Sequence, residues 1–148
     1  MKIEGEYTFN GPRPVVWSVL RDVNILATAI PGETTLKPIS DNEYEGTIKL
    51  KIGPVSGLFA GKLTVADEVP PESCTLIIEG KGGAGFAKGT GHIQLIELPD
   101  NKTQLKYIGD LGIGGKLASV GQRMIDSVAK SMIKGGFEKL EKEVANRL

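Results

Sequence analysis

The sequence predicts an α+β domain in which a curved antiparallel sheet wraps around a long C-terminal helix. Between Thr34 and Asp110 the apolar residues recur with a period of two, which is typical of strands with one buried face. From Lys116 to about Arg147 they recur at steps of three and four, which is typical of an amphipathic helix. A length of 148 residues suits one domain, residues 1–148.

A strand and two short helices are predicted ahead of the sheet's main run. The strand spans Ile3 to Phe9 and ends at an Asn-Gly-Pro turn. Valine and leucine residues at helical spacing predict a first helix from Arg13 to about Leu20. Asp22 can cap a second helix that continues to Ala29. This helix must end near Ile30-Pro31-Gly32, because the proline keeps the residue before it out of the helical region.

The strand pattern is clearest from Glu43 to Ile52. Apolar side chains share one parity there and charged or polar side chains the other, which predicts one buried and one wet face. Further strands are predicted around Phe59–Val65, Cys74–Glu79, Phe86–Leu98 and Lys102–Ile108, with turns at Pro70-Pro71 and Pro99-Asp100-Asn101-Lys102.

The C-terminal segment carries an apolar stripe that includes Leu117, Val120 and Ile125. Gly135-Gly136 interrupts it, at a cost near 1 kcal/mol per glycine relative to alanine, so we expect a bend there. The long helix is the only element large enough to cover the apolar face of the sheet. A strongly curved sheet around one helix is expected to leave an internal cavity.

Composition narrows the range of functions. The chain has 18 basic and 18 acidic residues, which is unlike a general nucleic-acid binder. A single cysteine, Cys74, excludes an internal disulfide and fits the cytosol. We find no signal-peptide pattern and no apolar run long enough to span a membrane. Peripheral membrane contact stays open.

Two glycine-rich segments resemble phosphate-binding loops. Gly80–Gly85 matches G-x-G-x-x-G, but a strand rather than a helix is predicted to follow, which favours a bulge or tight bend. Gly112–Lys116 lacks the first glycine of a phosphate loop and the hydroxyl after the lysine, which favours a turn into the helix. The start of that helix could still receive an anionic or carbonyl group. No cofactor is predicted.

The chemically reactive residues form no recognisable catalytic or metal-binding set. His92 is the only histidine and lies in a predicted strand, and Cys74 is interpreted as a small buried residue. Asp67 and Glu68 should point to opposite faces of a strand. Asp110 can cap backbone amides or line the mouth of the cavity. No metal site is predicted.

Several short motifs, spread over nearly the whole chain, resemble the CoxG family of carbon monoxide dehydrogenase proteins, within the START/Bet v 1-like helix-grip superfamily (SRPBCC). They are Ile30-Pro31-Gly32, Gly46, Lys51-Ile52-Gly53-Pro54-Val55, Phe59-x-Gly61, and Asp110 followed by Gly115-Lys116-Leu117-Ala118-x-x-Gly121-x-Arg123-x-Ile125. The resemblance implies a seven-stranded sheet wrapped on the C-terminal helix, with a deep hydrophobic cavity. It also implies a partnership with a molybdenum-containing carbon monoxide dehydrogenase or related hydroxylase, a link to the membrane, and a quinone- or lipid-like ligand.

Three functions are compatible with this sequence. The first is a cytoplasmic accessory protein that binds a hydrophobic small molecule and is not an enzyme. The second is a cyclase or hydrolase using groups such as His92 and Asp110, and the third is an interaction module with a filled interior. For the first, the predicted lining residues are Tyr44, Ile48, Leu50, Phe59, Leu63, Leu105, Tyr107, Met124, Val128 and Met132, with Asp110 and Lys116 at the mouth.

Overall fold

The computed structural model describes residues 1–30 and 34–148. Within them the strands are β1 (Lys2–Phe9), β2 (Thr34–Pro38), β3 (Glu43–Ile52), β4 (Val55–Val69), β5 (Ser73–Gly82), β6 (Gly85–Leu98) and β7 (Lys102–Gly114). The α-helices are α1 (Arg13–Leu20), α2 (Val23–Ala29) and α3 (Gln122–Asn146), and a 3-10 helix (Gly115–Val120) precedes α3.

The strands form one antiparallel sheet in the order β1-β7-β6-β5-β4-β3-β2. From β2 to β7 each strand pairs with the next one in the chain, and β1 pairs with β7. The predicted seven-stranded sheet with a long C-terminal helix and two short helices after the first strand is therefore confirmed. The predicted end of the second helix at Ile30 is confirmed too, whereas Pro31 and Gly32 lie outside the described residues.

One side of the sheet, which we call the inner face, packs against the helices. Cross-strand pairs such as Ile48 with Phe59, and Tyr107 with Ile93, place alternate residues on this side. The other side, the outer face, carries pairs such as Thr90 with Asp110. Alternation along β3 follows the predicted parity, because Tyr44 and Ile52 are buried while the lysines of β3 are exposed.

The buried side chains form three clusters rather than one continuous core. The first joins β1, β6 and β7 to α1 and the C-terminal part of α3, through residues such as Phe9, Leu105 and Val144. The second, at the other end of α3, consists of Ile52, Phe59, Ala84 and Leu117. The third consists of Tyr44, Val65 and Cys74. Helix α3 approaches the sheet at β1, on one edge, and at β3, beside the opposite edge.

The prediction that the C-terminal helix begins at Lys116 is wrong by six residues. Strand β7 continues to Gly114, the next turn is a 3-10 helix, and the α-helix starts only at Gln122. Gly121 separates the two helical segments with a φ of 92°, a conformation that a glycine adopts without steric strain. Asp110 consequently lies within β7 rather than at its end.

The pair Gly135-Gly136 does not interrupt α3, which is continuous from Gln122 to Asn146. A Cβ atom added to Gly136 would lie 3.4 Å from the carbonyl oxygen of Ala29, at the end of α2. A Cβ atom at Gly135 would meet nothing within 4 Å. The second glycine thus permits close contact between α2 and α3, and the expected bend is replaced by a packing surface.

The C-terminal end of α3 is tied to the first two helices by Arg147. Its Nη2 atom donates to Oδ2 of Asp22 at 2.6 Å and its Nη1 atom donates to Oγ of Ser18 at 3.3 Å. The Asp22 carboxylate also accepts a hydrogen bond from the backbone N–H of Asn24 at 3.0 Å, which confirms the predicted cap of α2. The hydrogen bond from Arg147 lowers the pKa of Asp22.

The two glycines of α3 should respond to substitution in opposite directions. Gly135→Ala should raise the free energy of unfolding by about 1 kcal/mol, because alanine favours the helix and its Cβ enters open space. Gly136→Leu should lower it by roughly 1–3 kcal/mol, because the side chain must push α2 away. Urea unfolding followed by circular dichroism measures both, and equal shifts would contradict this account.

Asp22→Ala should lower the free energy of unfolding at neutral pH by about 1–2 kcal/mol, because it removes both the cap and the partner of Arg147. The pKa of Asp22 is depressed in the folded state, so its contribution is present above the unfolded pKa of roughly 3.9 and is lost as the pH falls through the lower folded value. Wild type and variant should therefore converge in stability in strong acid. Asp22→Asn, which retains a cap, should lose less, and a pH-independent difference would disprove the linkage.

Candidate functional site

Between the three clusters, the inner face carries apolar side chains that are only partly buried. Ile78 is the clearest example, because its register with Leu63 and Gly89 places it on the inner face and yet it is 51% exposed. The half-buried members of this group are Ile48, Leu50, Leu63, Leu76, Ile93 and Tyr107 from the sheet, and Val128 and Met132 from α3. Together they border an open apolar site, which we call the inner site.

The floor of the inner site is made of glycine backbone. Gly80, Gly89, Gly91 and Gly109 lie on the inner face of the neighbouring strands β5, β6 and β7. A Cβ atom added to Gly91 would find its nearest neighbour, the Ile108 carbonyl oxygen, at 3.9 Å. One added to Gly80 would find its nearest neighbour at 4.0 Å. These two positions therefore face unoccupied space where another residue would project a side chain.

Tyr107 forms a side wall of the inner site instead of filling it. Its ring lies over Gly5, the residue opposite it on β1, where any Cβ atom would collide with the phenol. The ring centroid lies 5.8 Å from that of Phe137, and Tyr7 continues the aromatic group at 5.3 Å from Phe137. Because Tyr107 leans towards β1, the space above the glycines of β6 stays open.

The inner site is electrically neutral. Among the inner-face positions of the described strands, outside the irregular end of β4, the only charged residue is Glu97, which is exposed near the end of β6 and lies 3.4 Å from Arg13. Burial raises the pKa values of Tyr7 and Tyr107, so both phenols are uncharged at neutral pH. An anion or cation buried in the inner site would find no counter-charge there.

The structure brings six of the predicted lining residues to the inner site and places the others elsewhere. The six are Ile48, Leu50, Leu63, Tyr107, Val128 and Met132. Tyr44, Phe59 and Leu105 are buried within the clusters as solid core, and the Tyr44 hydroxyl accepts a hydrogen bond from Nη1 of Arg21 at 2.9 Å. Met124 is 41% exposed and lies against Gly53 in the β3–β4 turn.

The two residues predicted at the mouth do not reach the inner site. Asp110 pairs with Thr90 and Lys2 and is exposed on the outer face, because strand parity turns its side chain away from the side of Tyr107. Lys116 is exposed on the 3-10 helix, beside the second cluster. Its neighbour Leu117 is held there by a hydrogen bond from its N–H to the Ala84 carbonyl oxygen at 2.8 Å.

The reactive side chains do not form a catalytic group at the inner site. Cys74 is buried in the third cluster, and burial raises the pKa of its thiol to about 11, so it is a protonated core residue as predicted. His92 is exposed on the outer face, with Nδ1 3.4 Å from Oγ1 of Thr75. Glu68 pairs with Arg21 at 3.0 Å. No three histidine, cysteine or carboxylate groups of the described residues are arranged to hold a metal ion.

Several parts of the inner site are absent from the sequence-based prediction. Leu76 and Ile78 share the parity of Cys74, so extending the buried face of β5 from that cysteine would find them. The glycines are predicted only as bulges and bends, because a residue without a side chain gives no hydropathy signal. No helix in the described part of the chain is long and apolar enough to cross a membrane.

Comparisons with known proteins agree with this geometry. The family model for the carbon monoxide dehydrogenase protein CoxG matches residues 5–145. A conserved protein from Geobacillus kaustophilus is 35% identical, with 99% of this chain and 96% of that chain covered and a TM-score of 0.94. A search of curated proteins found no match.

More distant structures share the fold. A START superfamily protein from Mycobacterium smegmatis is 14% identical, with 99% of both chains covered and a TM-score of 0.71. The Zhui aromatase/cyclase from Streptomyces sp. R1128 is 14% identical, with 99% of this chain and 94% of that chain covered and a TM-score of 0.74. Because the family model matches almost the whole length of the chain, the protein belongs to the CoxG family of carbon monoxide dehydrogenase proteins.

Proposed function

We propose that this protein binds a neutral, apolar small molecule, quinone- or lipid-like, in the inner site. The observation that carries the proposal is an uncharged inner face left open above Gly80 and Gly91. Partly exposed apolar side chains surround that space, and covering them with a ligand removes apolar surface from water. Each buried methylene of a ligand chain contributes about 0.8 kcal/mol, which favours long hydrocarbon or isoprenoid chains over short ones.

The role that fits this binding is accessory rather than catalytic. Family membership supports a partnership with a molybdenum-containing carbon monoxide dehydrogenase or related hydroxylase in the cytoplasm. A redox enzyme of this kind exchanges electrons with a carrier, and a quinone held in an apolar site is a suitable carrier. An enzyme of the cyclase type would need an acid–base group within reach of the reacting atom. The inner site of this chain offers only the neutral phenols of Tyr7 and Tyr107.

The direct test is native mass spectrometry of freshly purified protein, followed by organic extraction and identification of the bound compound. A quinone or neutral lipid at a stoichiometry near one supports the proposal. A protein that carries no ligand and does not take up an isoprenoid quinone when titrated would favour the interaction module.

Gly91→Leu should block the inner site while leaving the fold intact. The new side chain enters the open space above β6, so we expect affinity for an isoprenoid quinone to fall at least about tenfold, the equivalent of 1.4 kcal/mol. The matched control is Thr90→Leu, one residue away on the outer face. Titration by intrinsic fluorescence measures binding and thermal unfolding checks the fold. Equal affinities for the two variants would disprove the location of the site.

The neutrality of the inner face predicts a preference between two ligands of equal chain length. Oleyl alcohol should bind at least about tenfold more tightly than oleate at neutral pH, because a carboxylate entering the site loses water without gaining a cation. Competition against a fluorescent fatty alcohol measures both ligands under the same conditions. Tighter binding of oleate would show that the head group pairs with a cation, and the neutral-ligand proposal would fail.

A further inference from the structure

Charge is unevenly distributed along the length of the sheet. At one end of the molecule lie the β3–β4 turn, the β5–β6 turn and the 3-10 helix with the start of α3. The sequence segments that meet there are 50–58, 80–92 and 111–125, and none contains an aspartate or glutamate. Their basic residues are Lys51, Lys81, Lys88, Lys116 and Arg123, all exposed.

The opposite end of the sheet has the reverse character. Its turns, β2–β3, β4–β5 and β6–β7, contain Asp41, Glu72 and Asp100, and the adjoining strand ends add Glu68 and Glu97. Since the whole chain has 18 basic and 18 acidic residues, this separation is not a result of composition. The molecule therefore has a basic end and an acidic end.

The basic end also exposes large apolar side chains. Leu58 on β4 is 60% exposed, Phe86 on β6 is 48% exposed, and Met124 at the start of α3 is 41% exposed. Lys81 lies directly opposite Phe86 on the outer face. On its other side Lys81 pairs with β4 at Ala60, two residues from Leu58. Apolar and cationic side chains thus alternate across the turns at this end.

The acidic groups nearest to this surface neutralise little of its charge. Glu79 approaches Lys88 at 3.9 Å, with both side chains more than half exposed. Asp110 lies opposite Thr90 on the outer face, towards the middle of the sheet. Exposed ion pairs of this kind contribute little, so the positive character of the end persists.

We propose that the basic end is a docking surface for a lipid bilayer that contains anionic lipids. Exposed apolar side chains flanked by lysine and arginine are suited to the interface of a membrane, where the apolar groups enter the acyl boundary and the cations meet the head groups. The contact is peripheral and uses the turns of the sheet. It goes beyond ligand binding, because the residues that form this surface are different from those of the inner site.

Vesicle flotation tests this proposal with wild-type protein. We expect binding to vesicles of phosphatidylcholine containing a third phosphatidylglycerol and little binding to phosphatidylcholine alone, with a loss of binding as salt is raised. Lys51→Gln and Lys81→Gln should each weaken binding about fivefold, in line with the attraction of one lysine to an anionic surface. Lys102→Gln, at the acidic end, is the matched control and should have no effect.

Insertion is tested with Phe86→Trp and, for comparison, Ile108→Trp on the outer face away from the turns. Only the first tryptophan should shift to shorter emission wavelength on anionic vesicles. Gly91→Leu should float like wild type, so failure of the ligand proposal would not affect this test. No flotation of wild type, or equal losses for Lys81→Gln and Lys102→Gln, would overturn membrane docking and favour an acidic protein as the partner of this surface.

Discussion

The structure depends on the way a single long helix meets a curved sheet. Helix α3 approaches the sheet at β1 and at β3, and the buried side chains gather in separate clusters near these contacts. The sheet between the contacts keeps an apolar face without a matching layer of side chains. Protein interiors are otherwise packed to the density of organic crystals, so a half-exposed Ile78 on the inner face marks a place built to receive something else.

Glycine gives the inner site its depth, and this explains how much of the site the sequence could predict. The alternation along β3 and the cap at Asp22 predicted the elements correctly, because hydropathy period and capping chemistry are local signals. The same signals placed Ile48 and Leu63 on the inner face. They could not separate these residues from Phe59 and Leu105, which have the same parity but are covered by other elements. Burial of that kind is decided by tertiary packing, which no single strand encodes.

The errors at the C-terminal helix have a similar origin. Leu117 and Val120 follow a helical spacing, and the stretch containing them is helical, but as a 3-10 turn separated from α3 by Gly121. Nearness to the glycines along the chain suggests that Asp110 lies at the mouth of the site. The strand continues past it, so its side chain belongs to the outer face. Both cases show that proximity in sequence is a weaker guide than the parity of the strand.

The separation of charge between the two ends of the sheet follows from the hairpin topology. In an antiparallel meander alternate turns lie at the same end, so the β3–β4 and β5–β6 turns share one end and the β4–β5 and β6–β7 turns share the other. Lysines beside the first set and carboxylates beside the second therefore add into one field instead of cancelling. A strand's length separates the two sets, which exceeds the screening distance of about 8 Å at physiological ionic strength. Each end thus presents its own charge to whatever approaches it, although the chain as a whole is neutral.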